Sequence, residues 1–290
     1  MKTMPKRIEV LKTYKTYVGG KFPRSESDRT YQVKDPKGNH IANACKCTRK
    51  DVRDAVLAAR SAFGGWSGRS AYNRGQILYR IAEMLEGRKD QFIHELEQFG
   101  LKQKEAVAEV ESSIDRLIYY AGWTDKISQI FGTINPVASS HFNFSAPDPT
   151  GVVGIAAPDT SPLLSVVSLI APVIAGGNTC VLLAGENFPL PAISFGEVLH
   201  ASDVPGGVVN ILTGFKDEML DHLSSHMDVN AVFNTLSDES TRKLIDENAS
   251  ISVKRVFHYP TDDWLDQIHE NPYIIGEFME IKTTWHPIGD

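Results

Sequence analysis

At 290 residues the chain is long for a single core and suits one large domain with appendages. Its 42% hydrophobic and 23% charged content is ordinary for a globular protein, and a formal charge of −6 argues against nucleic acid and acidic membranes, which demand a basic footprint. The three cysteines, Cys45, Cys47 and Cys180, make no disulfide framework, so a reducing cytoplasm is the expected compartment.

The opening MKTMPKRIEVLK is charged but has no apolar stretch behind it, so no signal peptide is expected. From Tyr17 to Cys47, glycine and proline punctuate an alternating pattern that predicts a small β-meander. Thr48 then starts a helix with Asp51 as capping-box partner, and Val52, Ala55, Val56, Ala59 and Phe63 form its apolar stripe. A second helix is predicted over 72–99, ended by Gly100, and a third over 104–130. Residues 139–150 read as extended.

The pattern then changes. Apolar runs at 152–157, 179–183, 208–212, 230–234 and 253–258 alternate with helical stretches at 162–175, 190–200, 216–225 and 238–248. Near-continuous apolar strands are buried on both faces, so this is the pattern of a doubly wound parallel sheet of about five strands. The longest apolar run, 162–175, contains Pro162 and Pro172 and is too short to span a bilayer. A last helix is expected at 262–270, led by Asp262 and Asp263, and an extended arm from Phe278 to Trp285.

Little in these residues assembles chemistry. Cys180 sits inside TCVLL and reads as an inert core thiol. Cys45 and Cys47 lack the second ligand pair of a zinc site. His222 and His226 stand four apart without a glutamate or a third ligand, which suits a solvated helix face. Gly214 reads as a plain turn glycine before it reads as a place for close approach of a ligand. The turn Pro158-Asp159-Thr160-Ser161-Pro162 joins a strand to a helix, where open α/β sheets hold ligands, yet it has no glycine to cradle a phosphate.

DVRDAVLAARSAFGGW, ILYRIAEMLEGR, IYYAGWTDK, PTGVVGIAAP, PVIAGGNTCVLL and DVPGGVVNILTGF, in that order, resemble the aldehyde dehydrogenase superfamily. YVGGKF resembles its opening strand and GEFMEIKTTWHPIG its closing oligomerisation strand. The chain looks like a truncated, degenerate member, similar to the non-catalytic second half of family 16 aldehyde dehydrogenases.

The resemblance implies an N-terminal β-meander and helices (1–138), a first arm strand (139–150), a degenerate Rossmann-like domain (151–273) and an oligomerisation strand (274–290). It places Thr160 where the family has an oxyanion-hole asparagine, and Leu183 where it has a cofactor-binding lysine. Glu186 matches the family glutamate, and Asn234 and Thr235 fall in the degenerate pyrophosphate turn.

The general-base glutamate, the cysteine nucleophile and the catalytic module have no counterpart in the sequence. The implied function is a catalytically inactive pseudoenzyme with no cofactor expected. It would act through oligomerisation, by hetero-oligomer with a full-length aldehyde dehydrogenase or else as a homodimer. The interface would be Ile275, Phe278, Glu280, Ile281, Thr283 and Trp285 of an otherwise unpaired arm. The alternatives are an NAD- or NADP-dependent aldehyde oxidoreductase, or a non-catalytic nucleotide-binding subunit.

Overall fold

Tyr17 ties the start of the chain to its centre: its backbone N–H donates to Ile211 and its carbonyl accepts from the same residue, at 3.0 and 2.7 Å. The computed structural model describes residues 10–289. The expectations for the first nine residues, that they carry no leader and belong to the N-terminal unit, lie outside the described residues, as does the last residue of the closing segment.

Strands β1 (Thr13–Tyr14), β2 (Thr30–Lys34) and β3 (His40–Cys45) form a sheet in the order β1-β3-β2, with β1 parallel to β3. This is not the predicted meander. YVGGKF turns tightly through Gly19 and Gly20, both at positive φ, and Val18 bridges Lys21 while Tyr17 lies on Ile211.

Helix α1 (Arg49–Ser67) starts at the Thr48–Asp51 capping box, as the sequence predicts, and buries Val52, Ala55, Val56 and Ala59. The predicted second helix is two: α2 (Ala71–Glu86) and α3 (Lys89–Gln98). Gly87 and Arg88 turn the chain between them, and the Arg88 guanidinium is held by Glu197 at 3.2 Å. The predicted third helix is likewise α4 (Gln103–Trp123) and α5 (Ile127–Phe131). Thr124 Oγ1 and Lys126 Nζ donate back to the carbonyls of Ala121 and Gly122, which satisfies the last turn and ends it.

Strands β4 (Thr133–Asn135), which the sequence did not suggest, and β5 (His141–Pro149) follow. Next come β6 (Val152–Ala156), α6 (Leu164–Ala175), β7 (Thr179–Leu183), α7 (Leu190–His200), β8 (Val209–Leu212), α8 (Leu220–Ser225), β9 (Ala231–Asn234), α9 (Glu239–Ile251) and β10 (Arg255–His258). The five strands form one parallel sheet, β10-β9-β6-β7-β8, as predicted.

Side chains alternate across this sheet. Val153, Ile155, Cys180, Leu182 and Phe233 face the core built with α2, α4 and α6, whereas Val152, Val181, Leu183 and Val232 face the one built with α1, α8 and α9. Chain order starts at β6, proceeds outward to β8 and then reverses through β9, so the switch point lies between β6 and β9.

The helix predicted at 262–270 is a packed irregular segment with one 3-10 turn, Gln267–His269. Its side chains plug into the core rather than forming a stripe. Trp264 is buried, its carbonyl accepts from Arg116 at 3.3 Å, and the Tyr120 hydroxyl donates to the His269 carbonyl at 2.9 Å. Asp262 and Asp263 therefore start no helix.

After the short α10 (Tyr273–Gly276), β11 (Met279–Pro287) pairs antiparallel with β5 from Met279↔Pro149 to Pro287↔His141, giving the sheet β11-β5-β4. The predicted unpaired arm is thus paired along one side within the chain, and its other side has no strand partner among the described residues. Ile275 and Phe278 are fully buried before the strand begins, so they belong to the chain's own core and not to an exposed interface. No helix among the described residues is long and apolar enough to cross a membrane.

Candidate functional site

A cleft of about 770 Å³ opens beyond the C-terminal ends of β6, β7 and β9, at the switch point of the sheet. Each edge comes from a strand end. β6 runs into the turn of Asp159 and Thr160, and β7 into Glu186. β8 leads to Lys216 and Asp217, β9 to Thr235, and α9 brings Asp238 at its start.

Thr160, Glu186 and Thr235, three of the five degenerate site positions that the resemblance marks, meet in this cleft. Thr160 is exposed at its rim. Glu186 Oε1 accepts the Lys216 N–H at 2.8 Å. The Thr235 hydroxyl donates to the Ala156 carbonyl at 2.8 Å, closing the end of β6 onto β9.

The other two are elsewhere. Leu183 is fully buried in the apolar layer beside Val181 and Leu212. The buried Asn234 amide folds over its own turn: Nδ2 donates to the Leu236 carbonyl and Oδ1 accepts the Leu236 N–H, both at 3.1 Å. Asn234 Nδ2 also lies 3.0 Å from His258 Nδ1.

Sequence reading missed the charge. Asp159, Glu186, Asp217, Asp221, Asp238 and Asp262 surround the cleft against one ammonium among the described residues, Lys216. Burial pulls the Lys216 pKa down, and the carboxylates of Asp159 and Glu186 oppose that shift. The acids come from five separate segments, and no sequence spacing joins them.

A dinucleotide does not fit this lining. Helix N-termini bind phosphate through unpaired N–H groups, but Asp238 Oδ2 already accepts the Thr241 N–H at 2.8 Å at the start of α9. The excess of carboxylates repels a pyrophosphate, and Leu183 offers no charge to offset it.

No thiol lines the cleft. Cys45, Cys47 and Cys180 are all buried, and desolvation pushes the Cys180 thiol up to about 12 and that of Cys47 higher still. Gly214, at φ +136°, serves a close backbone approach, since a Cβ there would lie 2.9 Å from the Cys47 nitrogen. His222 is on α8 and His226 just past its end, and the described residues contain no group able to hold a metal.

Comparison with known proteins sets this geometry in context. Residues 22–258 match the model of the aldehyde dehydrogenase family. The mitochondrial benzaldehyde dehydrogenase of Antirrhinum majus is 34% identical over 273 residues, 92% of this chain and 49% of that protein. The mitochondrial aldehyde dehydrogenase family 2 member B4 of Arabidopsis thaliana is 31% identical, over 91% of this chain and 48% of that one. The NAD+ complex of an aldehyde dehydrogenase from Bacillus cereus superposes with a TM-score of 0.80 at 27% identity, covering 85% of this chain and 50% of the other. The chain spans about half the length of these relatives.

Proposed function

This chain belongs to the aldehyde dehydrogenase family, and we propose that it is a catalytically silent member acting through assembly with a full-length aldehyde dehydrogenase. One observation carries the reading. Between the last strand of the parallel sheet and the arm run only residues 259–278, a packed connector without a cysteine, while the three thiols elsewhere are buried away from the cleft. Loss of a nucleophile alone removes on the order of 10⁶ of rate in a well-studied hydrolase.

The arm supports the assembly part. β11 exposes Glu280, Ile281, Thr283 and Trp285, and its outer edge is an open row of backbone donors and acceptors. Such an edge accepts another strand or aggregates.

Mass in solution tests the proposal, for the chain alone and mixed with a full-length aldehyde dehydrogenase from the same source. A mixed oligomer without aldehyde-dependent NADH production by this chain is the expected result. A homodimer indifferent to the second protein would remove the partner, and steady NADH production would remove the silence. A second reading, nucleotide binding without catalysis, has the likeness to the NAD+-bound Bacillus cereus structure for it and the acidic lining of the cleft against it. A cofactor at 100 times its Kd would add about 2.7 kcal/mol of stability, so thermal melts with NAD and NADP decide it.

A further inference from the structure

We propose that His258 is a proton sensor for the cleft: neutral, it locks the turn of residues 234–237 that forms the β9 wall, and protonated, it releases that turn. The ring stands at the end of β10 between partners on two other elements. Its Nε2 lies 2.9 Å from Asp246 Oδ1 on α9, and its Nδ1 lies 3.0 Å from Asn234 Nδ2 at the end of β9. A carboxylate accepts, so Nε2 carries the hydrogen; an amide nitrogen donates, so Nδ1 presents its lone pair. The two contacts together require the neutral ring with its hydrogen on Nε2.

The amide cannot turn over to suit a charged ring. Asn234 Oδ1 accepts the Leu236 N–H and Nδ2 donates to the Leu236 carbonyl, each at 3.1 Å, so a flip would set oxygen against oxygen and N–H against N–H. Both hydrogens of Nδ2 are thereby committed, one to Leu236 and one to His258. Asn234 is fully buried, so an N–H that loses the ring finds no water in its place.

Protonation puts a hydrogen on Nδ1 against the amide hydrogen, and one partner must yield. Asp246 holds a charged ring more firmly than a neutral one, so the amide is displaced and the turn goes with it. Thr235, Leu236 and Ser237 of that turn line the cleft.

The surroundings leave the ring free to respond. Its side chain is 16% exposed, so protons reach it from solvent, and Asp246 is the one charged side chain within ion-pair distance among the described residues. Lys243 and Glu247, also on α9, pair with each other at 3.8 Å, and β9 contains no charged residue. From the connector, the Tyr259 hydroxyl is turned to His269 Nδ1 at 2.8 Å.

The test is solution NMR on the whole chain from about pH 8 to about pH 5, the range in which histidine side chains change charge. At the alkaline end the His258 nitrogens should show the Nε2–H tautomer. On acidification the Leu236 amide should lose about tenfold in hydrogen-exchange protection, taken relative to the free-peptide rate, with the same midpoint as the His258 ring signals. His258→Gln keeps an acceptor for Asn234 and a donor for Asp246 but takes no proton, so its Leu236 protection should be flat with pH. That variant retains His269, which serves as the internal control. Asn234→Asp accepts from the Leu236 N–H and from a charged ring alike, so acid should no longer release the turn.

An Nδ1–H tautomer at the alkaline end, Leu236 protection that ignores the His258 titration, or an acid response that survives in His258→Gln would each overturn the assignment. The unaltered protein decides the first two, whether or not a variant folds. None of these readouts depends on assembly through the arm.

Discussion

Glu109 on α4 accepts the backbone N–H of Leu163 at 2.9 Å, and the same oxygen accepts that of Leu164 at 3.2 Å. These donors open α6, where no earlier turn supplies acceptors, and no side chain at the helix start itself caps them. A carboxylate from another helix therefore does the work of a cap. It also fixes the turn of residues 158–162, which forms one wall of the cleft, so a packing interaction in the core sets the geometry of the site.

Burial raises the Glu109 pKa above its ordinary value near 4.5, against the pull of the two N–H donors. The folded state then holds its proton to higher pH than the unfolded chain. Its contribution to stability is fully present below pH 4.5 and is lost as pH rises through the folded pKa. Glu109→Gln keeps an acceptor and has no charge, so it should gain on the parent protein as pH rises, in urea titrations from acid to neutrality. Glu109→Ala leaves two buried N–H groups unpaired and should cost about 1–3 kcal/mol for each.

The connector responds to acid with the opposite sign. His269 Nε2 lies 2.7 Å from the Asp263 carbonyl and Nδ1 2.8 Å from the Tyr259 hydroxyl, so the neutral ring donates through Nε2 and accepts through Nδ1. Burial lowers its pKa, and Arg116 adds to this against Asp263 and Asp266. The stabilisation is present above the ordinary histidine value of 6.5 and lost as pH falls through the folded pKa. His269→Gln should flatten that acid limb in thermal melts. Trp264→Phe should be mild, because the buried indole N–H has no partner to lose among the described residues, whereas Trp264→Ala should cost about 3–5 kcal/mol.

The thiols give a third expectation. All three are buried, and those of Cys47 and Cys180 ionise only far into the alkaline range. A thiol reagent at about pH 8 should label none of them in the native protein and all three in denaturant, since only thiolate reacts. Rapid native labelling of Cys180, read by mass spectrometry, would contradict the packing described for β7.

What the sequence discloses follows from which interactions are local. The runs Val152–Ala156 and Thr179–Leu183 read as buried strands because burial on both faces leaves a continuous apolar string. Thr48 and Asp51 read as a cap because the two residues satisfy each other. The break at Gly87 was hidden: Leu85, Phe92 and Leu96 keep helical spacing across it, so the apolar rhythm continues where the helix does not. Residues 262–270 look helical in isolation, but Arg116 and Tyr120 draw their carbonyls into tertiary hydrogen bonds. Thr160, Glu186 and Thr235 could be located because the resemblance aligns them, while Lys216 and its ring of acids converge only after five segments are folded together.

Phe278 and Ile281 stand three residues apart and should behave as different kinds of residue. Phe278 is fully buried against Phe233 and Phe257, with ring centroids 4.9 and 6.1 Å away, so Phe278→Ala should cost about 3–5 kcal/mol. Ile281 and Trp285, each 57% exposed, lie on one face of β11 because their spacing is even. Changing both to lysine should alter monomer stability by no more than about 0.5 kcal/mol. It should nevertheless lower the mass of any assembly built on that edge, since charges on an exposed strand oppose strand pairing. Melts and mass measurements on the two variants separate the roles. If the lysine pair unfolds the protein and leaves its mass unchanged, β11 serves the fold alone. If it spares the melt and abolishes association, the arm is a docking element whose root, from Ile275 to Met279, is held by the core.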